Sequence, residues 1–394
     1  MDKKTKQPGA TGFLKIARNA TTGLEEVDTH VDPFSDLIFQ TIVDRWNYRN
    51  NGPISYPIFE FYWKSENKNG RVKHREIGKP NESMKMLHGL FQEFVESACV
   101  RSRKKILVSL PSCTAFKAGC SQFENAKKHL GGRYFYITDL SDAYGTVDTE
   151  ILSLIITAIL IAGEPTDSVN EEILDAVDGF FHAAQFGHGY RNKEILMRIE
   201  HHPIAKRVKK FINRFCRSSV GNGLVTGAPS SPYLFNLYCE ILFDRSLRKF
   251  CKPSGERQIT YSRYADDLVF SADRPILSKD RAAIRQKLAA SDFRVNHRKS
   301  KVLFIEQGTV FITGVGLPRD GSKQLIYPQK IRYKLHALIK NWYERGDVEE
   351  DVVVGHIAQF KAYLKHILKP TKTDERTLAL CTKFEKLRRE FRRY

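Results

Sequence analysis

Hydrophobic and polar positions along the chain predict a mixture of helices and strands. The predicted helices lie at 33–50, 82–100, 149–218 with breaks, 233–249 and from about 328 onward. The longest apolar run, from Ile151 to Gly163, contains only Ser153 and Thr157 as polar side chains and is typical of a buried helix. Residues 1–30 are polar with little periodicity, so we expect a loose extension there.

Four segments show the alternation or the apolar runs of strands. They lie at 58–78, 133–140, 258–273 and 293–317. Asn69-Gly70 divides the first segment and predicts a β-hairpin turn. Asp266-Asp267 divides the third segment at a second predicted hairpin tip. The pattern contains no internal repeat and no low-complexity linker.

The length of the chain and its cysteine content limit the classes of protein to which it can belong. A chain of 394 residues exceeds one ordinary core, which predicts two or three subdomains. The longest apolar run is about half as long as a membrane span, so we do not expect the chain to be an integral membrane protein. The first residues show no signal-peptide pattern. The seven cysteines are odd in number and form no CxxC pair. This argues against a disulfide framework or a zinc ribbon and predicts a cytoplasmic location.

A strong basic excess predicts a polyanionic partner. Lys and Arg number 64 against 45 Asp and Glu, a formal net charge of +19. The excess is concentrated in 101–133, 201–220 and 296–333. A solvated surface would explain any single cluster, but three clusters on an enzyme-sized chain favour a nucleic-acid track. The residues expected to bind RNA in the second cluster are Lys206, Arg207, Lys209 and Lys210.

Three carboxylates occupy strand positions in which Asp is rare. Asp139 ends an apolar strand, and Asp266-Asp267 lies between two aromatic strands. A buried carboxylate costs on the order of several kcal/mol unless it is paired or bound to metal. If the two strands lie side by side, the carboxylates can share divalent ions, and Mg²⁺ prefers such oxygen ligands. Taken alone, Asp266-Asp267 would be an ordinary turn, because Asp is common in turns.

The sequence around these carboxylates resembles the catalytic boxes of reverse transcriptases. Tyr264-Ala265-Asp266-Asp267 is similar to their Tyr-x-Asp-Asp box. The segment 139–148, DLSDAYGTVD, resembles the box whose first Asp binds both metals, and Tyr144 stands in the place of the steric gate that excludes a ribose 2′-hydroxyl. The alternative for Tyr144 is a core aromatic. The metal-binding residues that the resemblance implies are Asp139, Leu140, Asp266 and Asp267, with two Mg²⁺ ions.

The resemblance extends from about residue 55 to 370 and implies further roles. Arg75 resembles the fingers-strand Arg that holds the triphosphate, and Lys68 is a weaker candidate across the turn. Lys299 in FRVNHRKSKV resembles a Lys that is a candidate to protonate pyrophosphate. FITGVGL (311–317) resembles the primer-grip hairpin.

The segment 223–238 resembles the loop and helix under the incoming nucleotide. The nucleotide-binding residues implied there are Thr226, Gly227 and Asn236. The family usually has Pro-Gln-Gly where this chain has Val225-Thr226-Gly227. Because Thr226 is shorter than Gln, the departure bears on ordinary processive synthesis but not on the metal site.

Two shorter signatures resemble retron reverse transcriptases. Asn125 and His129 match an Asn-Ala-x-x-His box, and Ile312-Thr313-Gly314 resembles a Val-Thr-Gly box. By this resemblance Asn125 and His129 are expected to bind RNA. The alternative for His129 is a histidine at a helix end, near the C-terminal dipole.

The resemblance implies an α+β fold with the fingers, palm and thumb of right-hand polymerases. The implied domains are an N-terminal extension at 1–32, fingers and N-terminal helices at 33–132, a palm at 133–318 and a thumb with a basic tail at 319–394. A helical insertion is expected at about 163–200. Residues 330–346 alternate apolar and basic faces at helical spacing, with aromatic residues among the basic ones, as expected of a thumb helix in the minor groove of an RNA–DNA duplex. The alternative is a surface helix packed on a neighbouring element, which would show the same pattern. The thumb residues expected to bind RNA are Lys330, Arg332 and Lys334.

The resemblance implies an RNA-directed DNA polymerase of retron type. Such an enzyme uses deoxynucleoside triphosphates, copies a cognate structured non-coding RNA from a 2′-hydroxyl primer on that RNA, and retains its DNA product. Retrons act in antiphage defence with an effector protein. Another bacterial defence or diversity-generating reverse transcriptase is the nearest alternative. A non-catalytic RNA-binding scaffold is the alternative of a different class.

Overall fold

The computed structural model describes residues 57–68, 71–102, 105–164, 171–184, 193–252, 258–320, 324–346 and 348–391. The helix expected at 33–50 and the Asn69-Gly70 turn lie outside these residues. Helices and antiparallel strands are both present, so the fold belongs to the expected α+β class.

The elements of the described residues follow in chain order. The strands are β1 (Phe59–Lys68), β2 (Arg71–Pro80), β3 (Tyr134–Asp139), β4 (Thr260–Tyr264), β5 (Asp267–Ala272), β6 (Lys301–Phe304), β7 (Val310–Ile312) and β8 (Val315–Leu317). The helices are α1 (Glu82–Arg101), α2 (Lys105–Ser109), α3 (Gln122–Lys127), α4 (Thr149–Ala162), α5 (Glu171–Ala184), α6 (Lys193–Glu200), α7 (Pro203–Phe215), α8 (Ser231–Cys239), α9 (Arg245–Cys251), α10 (Ser278–Ala289), α11 (Gln329–Glu344), α12 (Glu350–Leu364) and α13 (Lys372–Phe391).

The chain forms two compact units, and each draws on separate stretches of sequence. The first unit comprises Met1–Pro111, Asp142–Ser246 and Ala289–Phe293. The second unit comprises Ser112–Ser141, Leu247–Leu288 and Arg294–Tyr394.

The first unit is built around the apolar helix α4. Asp148 caps this helix by accepting hydrogen bonds from the N–H groups of Glu150 and Ile151. Ile155, Ile156 and the other residues on most of its circumference are buried, with α1, α6 and α7 packed against it. The prediction of a buried helix at 151–163 is therefore confirmed. In the same unit β1 and β2 form the predicted hairpin, with Phe59 paired to Pro80.

The second unit contains a four-stranded antiparallel sheet in the order β4-β5-β3-β6. The aromatic rings of Tyr136, Phe270 and Tyr261 stack across three neighbouring strands, with successive centroids 5.9 Å and 4.9 Å apart. Such cross-strand pairs fix the register of a sheet. The two ends that matter for chemistry, the C-terminus of β3 and the turn between β4 and β5, are thereby placed side by side.

Helices α11, α12 and α13 also belong to the second unit and share one core with α3 and the β7–β8 hairpin. Leu335, Ile339, Phe360 and Phe384 are fully buried in this core. None of the helices in the described residues is both long and apolar enough to cross a lipid bilayer.

Candidate active site

The turn between β4 and β5 presents two neighbouring carboxylates. Tyr264 pairs with Asp267, so only Ala265 and Asp266 connect the strands. Ala265 has φ of +54°, a left-handed conformation that a small side chain tolerates better than a β-branched one. Both Asp266 and Asp267 are half-buried. The predicted hairpin tip is confirmed at these residues.

The end of β3 brings a third carboxylate to the same place. Asp139 is directly opposite Asp267 in the β3–β5 register, and its side chain is only 10% exposed. The Leu140 N–H donates to the carbonyl of Asp266 at 2.9 Å. The Asn296 N–H donates to the carbonyl of Asp139 at 2.7 Å. These backbone bonds hold the end of β3 between the β4–β5 turn and the segment that follows α10.

The carboxylates perturb one another. Burial raises the pKa of Asp267 to about 6, and the charges of Asp266 and Asp139 act in the same direction. Burial also raises the pKa of Asp266, again with a contribution from Asp139. Lys299 opposes both shifts. Carboxylates crowded in this way release protons readily only when a cation compensates their charge.

Lys299 supplies part of that compensation. Its Nζ donates to Oδ2 of Asp139 at 2.7 Å, while the Lys side chain is 58% exposed. The ammonium therefore contacts the carboxylate of Asp139 and remains accessible to a ligand. Its backbone N–H donates to the carbonyl of Asn296 at 3.0 Å, which fixes the turn that carries it.

The donor set suits Mg²⁺. Asp139, Asp266 and Asp267 offer carboxylate oxygens, and Leu140 offers its backbone carbonyl, all hard oxygen donors of the kind that Mg²⁺ takes. Within the described ranges, no group of three or more His, Cys, Asp or Glu side chains is positioned to hold a metal ion by itself. In phosphate chemistry Mg²⁺ is held by one or two carboxylates together with oxygen atoms of the substrate, and Asp139, Asp266 and Asp267 supply carboxylates of that kind.

The candidate nucleotide-binding loop of the first unit docks on β2. The Gly78 N–H donates to the carbonyl of Thr226 at 2.8 Å. Gly227 has φ of +101°, and a Cβ there would lie 2.6 Å from the carbonyl oxygen of Gly78. This position requires glycine on both grounds. Arg75 is exposed three residues earlier on β2, and Lys68 is the last residue of β1.

Tyr144 is half-buried in the turn before α4, and its ring lies 5.1 Å from that of Phe235. Its carbonyl accepts from the Leu224 N–H at 2.9 Å, and a Cβ on Gly223 would collide with that oxygen. This close approach fixes the backbone of Tyr144. Asn236 is only 1% exposed within α8, so the structure does not support the direct nucleotide contact expected of its side chain.

The first unit also contains an open cleft of about 670 Å³. Its lining includes Phe59, Phe61, Met84, Arg214, Phe215 and Arg217. Phe61 is 41% exposed, and Arg217 donates from Nε to the carbonyl of Gly221 at 3.0 Å. Aromatic rings beside guanidinium groups are the combination that binds single-stranded nucleic acid. Sequence pattern alone does not predict this cleft, because the contributing segments are more than 100 residues apart.

The expectation that Asn125 and His129 contact RNA is not supported by their positions. They are 0% and 1% exposed, respectively. Asn125 contacts Ser262 on β4, and His129 contacts both β4 and β5. The ring of His129 lies 2.6 Å from Oγ of Ser262 and 2.7 Å from Oγ of Ser271. No local pattern in the sequence signals this contact, because the two serines lie 133 and 142 positions away from His129.

The basic residues of α7 differ in their surroundings. Lys206 and Lys210 are exposed, Arg207 is half-buried, and Lys209 forms an ion pair with Glu150. The other face of α7 is buried through Ile204, Val208, Ile212 and similar residues. Lys206 and Lys210 are therefore the members of this cluster that are best placed to meet a polyanion.

The candidate thumb residues on α11 differ in their exposure to solvent. Lys330 and Lys334 are exposed beside Tyr333. Arg332 is only 8% exposed, and its guanidinium donates to Oδ1 of Asp374 at 2.7 Å. The expected RNA contact of Arg332 is thus replaced by a buried ion pair between α11 and α13.

Comparisons with known proteins agree with the geometry. A family model described as "Reverse transcriptase (RNA-dependent DNA polymerase)" matches residues 67–333. Retron Ec83 reverse transcriptase of Escherichia coli is 32% identical over 158 residues, which cover 38% of this chain and 48% of that protein. Retron Ec86 reverse transcriptase of Escherichia coli is 25% identical over 266 residues, which cover 68% of this chain and 62% of that protein. In each case the match spans less than two thirds of the relative.

Among solved structures, telomerase from Candida albicans, in complex with a TWJ fragment of telomeric RNA, gives a TM-score of 0.41 at 9% identity. That match covers 88% of this chain and 63% of the telomerase chain. Apo telomerase from Candida tropicalis gives a TM-score of 0.40 at 12% identity, over 83% of this chain and 56% of that chain. The family match covers more than half of the present chain, which therefore belongs to the reverse transcriptase family.

Proposed function

We propose that this protein is an RNA-directed DNA polymerase that uses two Mg²⁺ ions. The observation that carries the proposal is the convergence of Asp139, Asp266 and Asp267 at the ends of two paired strands. An RNA-binding scaffold has no use for three crowded carboxylates, since their repulsion lowers stability. A polymerase needs them to place a primer hydroxyl and a triphosphate in line.

At this site the chain's own residues hold and orient the reactants. When bound, Mg²⁺ ions increase the nucleophilicity of the primer hydroxyl and neutralise charge on the leaving pyrophosphate. Asp139, Asp266 and Asp267 would hold the ions, with the carbonyl of Leu140 as a further donor. The Nζ of Lys299 would give a proton to pyrophosphate as the bond from the α-phosphorus to the bridging oxygen breaks. Loss of that proton would leave a neutral amine, which solvent reprotonates because the side chain is largely exposed.

Nucleotide selection is assigned to the first unit. Arg75 would bind the triphosphate as a cation, and the Thr226-Gly227 backbone would lie under the nucleotide. Tyr144 would exclude the ribose 2′-hydroxyl through the position of its ring. The fixed backbone of Tyr144, held by Leu224, supports this role because a steric gate discriminates only if it cannot move away.

The RNA is assigned to the basic surfaces and the open cleft. Lys206 and Lys210 on α7, with Lys330 and Lys334 on α11, would meet phosphates. In the cleft, Phe61 would stack on unpaired bases beside Arg217. The names of the relatives favour a retron role, in which the template and primer belong to one structured RNA. Retention of the DNA product, antiphage defence and an effector protein are further parts of this proposal.

The decisive experiment is sequencing of the nucleic acid that copurifies with the full chain. A covalent RNA–DNA hybrid that requires Asp266 supports the retron assignment. DNA synthesis on supplied primer–template without such a hybrid would support another reverse transcriptase with different priming. RNA without any DNA synthesis, in the presence of Mg²⁺ and deoxynucleoside triphosphates, would support the scaffold instead.

A further inference from the structure

A buried polar network lies behind the turn that carries Asp266 and Asp267. Its members are Thr114, Asn125, His129, Ser262 and Ser271, all in the second unit. Ser262 belongs to β4 and Ser271 to β5, the two strands that the turn joins. Each of the five residues is at most 3% exposed. The network therefore lies in the interior and has no surface to offer to a ligand.

His129 connects the two strands through both nitrogens of its ring. Nε2 lies 2.6 Å from Oγ of Ser262, and Nδ1 lies 2.7 Å from Oγ of Ser271. Ser262 pairs with Val269, and Thr260 pairs with Ser271, so the two hydroxyls are diagonal neighbours on one face of the hairpin. A single ring thus bridges β4 and β5 from the side of α3.

The remaining bonds assign the proton on this ring. Oγ of Ser262 donates its hydrogen to Oδ1 of Asn125 at 2.7 Å. Since a hydroxyl has one hydrogen, Ser262 must accept from Nε2–H of His129. Nδ1 then carries no proton and accepts from the hydroxyl of Ser271. The neutral histidine is fully satisfied in this arrangement, and burial lowers its pKa to about 3.

The spacing of Asn125 and His129 explains how one short helix reaches both strands. Asn125 lies in α3 and His129 in the turn that follows it. The His129 N–H donates to the carbonyl of Ala126 at 3.0 Å, so the two residues, four apart, share one face of this helical turn. Thr114 continues the network, because its hydroxyl lies 3.1 Å from Oδ1 of Asn125 and its N–H donates to the carbonyl of Arg263 at 3.0 Å. Packing is close as well, since a Cβ on Gly132 would lie 2.9 Å from Cβ of Ser271.

We infer that Asn125 and His129 are positioning residues, which fix the β4–β5 hairpin so that Asp266 and Asp267 stand at a set distance from Asp139. This inference rests on the proposed polymerase function, and it gives the Asn-Ala-x-x-His pattern a role within the protein. Repulsion among the three carboxylates drives the hairpin away from β3. The network on the opposite side resists that displacement, because moving either strand would leave a buried hydroxyl or ring nitrogen without its partner.

The test uses the full chain with Ser262→Ala and Ser271→Ala together, which remove both contacts of the ring with little loss of volume. We expect kcat for nucleotide addition to fall at least tenfold, while KM for the nucleotide stays within twofold. Mn²⁺ binding, measured by electron paramagnetic resonance without nucleic acid, should weaken at least threefold.

Thr157→Ala is the matched control, because it removes a buried hydroxyl that donates to the carbonyl of Ser153 at 2.8 Å in the first unit. It should lower the melting temperature and leave kcat and Mn²⁺ binding within twofold.

A double-mutant cycle separates positioning from simple destabilisation. In a His129→Leu background the two serine changes should lower kcat by less than a further twofold, since the ring that they contact is gone. His129→Gln, which can keep one of the two bonds, should be intermediate. If the serine variants are folded and retain kcat and Mn²⁺ affinity within twofold of wild type, the inference is wrong. If the wild-type chain adds no nucleotide, the polymerase proposal fails, and the Mn²⁺ measurement still decides the positioning role.

Discussion

Asp139 and Asp267 lie directly opposite each other in the antiparallel pairing of β3 with β5. Like charges at opposed positions of a sheet lower stability, and here a third carboxylate, Asp266, adjoins the pair. The aromatic stack of Tyr136, Phe270 and Tyr261 on neighbouring strands and the network of His129 hold the register despite this repulsion. The folded chain therefore holds three mutually repelling carboxylates close together, and a bound divalent ion would compensate that repulsion.

Asp267→Asn should abolish DNA synthesis and stabilise the metal-free protein. The folded-state pKa of Asp267 is raised to about 6 from 3.8, so its favourable contribution is present below about pH 3.8 and is lost as the pH rises to 6. At pH 7.5 the neutral Asn should therefore increase the free energy of unfolding by about 1–2 kcal/mol, a value discounted for partial exposure. Chemical denaturation with a chelator present measures this change.

With Mg²⁺ present, the wild type should be more stable than Asp267→Asn, because Mg²⁺ binds the wild-type carboxylates and compensates their charge. We expect added Mg²⁺ to raise the melting temperature of the wild type and to have a smaller effect on Asp267→Asn. Asp266→Asn should behave in the same way and should retain RNA binding in a gel shift. Synthesis within tenfold of wild type by either variant would remove that residue from the metal site.

Strand periodicity placed Asp139 at the end of one strand and Asp266-Asp267 at a hairpin tip, and the resemblance to the reverse transcriptase boxes implied that the three converge. An Asp at the end of an apolar strand is unfavourable unless a cation or a hydrogen-bond donor meets it, and register follows from the alternation of side chains. The partners of isolated polar residues could not be predicted. Arg332 pairs with Asp374, which lies 42 positions away, and periodicity alone does not show that this face of α11 is covered by α13.

The same limit applies to Asn125 and His129. Their spacing places them on one face of α3 and the turn that follows it, but it does not say whether that face meets solvent or the back of a sheet. Lys209 is a similar case, since its ion pair with Glu150 depends on the packing of α7 against α4. Local pattern therefore predicts which residues share a surface, whereas tertiary packing decides what the surface touches.

Tyr144→Val should increase ribonucleotide incorporation. The smaller side chain leaves room for a 2′-hydroxyl where the ring stood, so the ratio of kcat/KM for deoxyribonucleotides over ribonucleotides should fall at least tenfold. Tyr144→Phe is the control and should keep the ratio within threefold, because it retains the ring beside Phe235. Single-nucleotide kinetics with matched substrates measure both variants. A ratio unchanged in Tyr144→Val would make Tyr144 a core aromatic.

Acid should destabilise the protein through its buried histidines. Burial lowers the pKa of His129 to about 3 and that of His88 to about 4, below the ordinary value of 6.5. The unfolded chain therefore binds more protons below about pH 6.5, and stability falls as the pH decreases from there toward 4. Each histidine contributes at most about 1.4 kcal/mol per pH unit.

The contribution of His129 can be isolated by difference. Asp266 and Asp267 act in the opposite direction below pH 6, so the wild-type slope alone is not diagnostic. His129→Gln removes one titrating group from the chain and keeps all of the titrating carboxylates. The slope of unfolding free energy against pH, measured by urea denaturation from pH 5 to 7.5, should be smaller in this variant. Equal slopes would mean that the ring of His129 is accessible to protons in the folded state.

Arg332→Leu should destabilise the protein rather than weaken RNA binding. Removing the guanidinium leaves Asp374 buried without its charge partner, which costs about 3–5 kcal/mol. Lys330→Ala and Lys334→Ala change exposed side chains and should alter stability by less than about 0.5 kcal/mol. Thermal melts of the three variants, with RNA affinity measured well below the melting temperature, distinguish the two roles. Loss of RNA affinity by a fully folded Arg332→Leu variant would show that Arg332 does contact RNA.

RNA binding should depend strongly on salt through α7. Each Lys that meets a phosphate releases condensed counterion, so the logarithm of affinity falls linearly with the logarithm of salt concentration. Lys206→Ala with Lys210→Ala should reduce the magnitude of that slope by about 1.4–1.8, on the basis of roughly 0.7–0.9 per contact. Lys209→Ala is the control. It should change the slope by less than half of the value expected for one phosphate contact, because Lys209 is paired with Glu150. Affinity for cognate and unrelated RNA should fall about equally, since phosphate contacts do not read sequence. A wild-type slope in the Lys206/Lys210 double variant would place this face of α7 away from RNA.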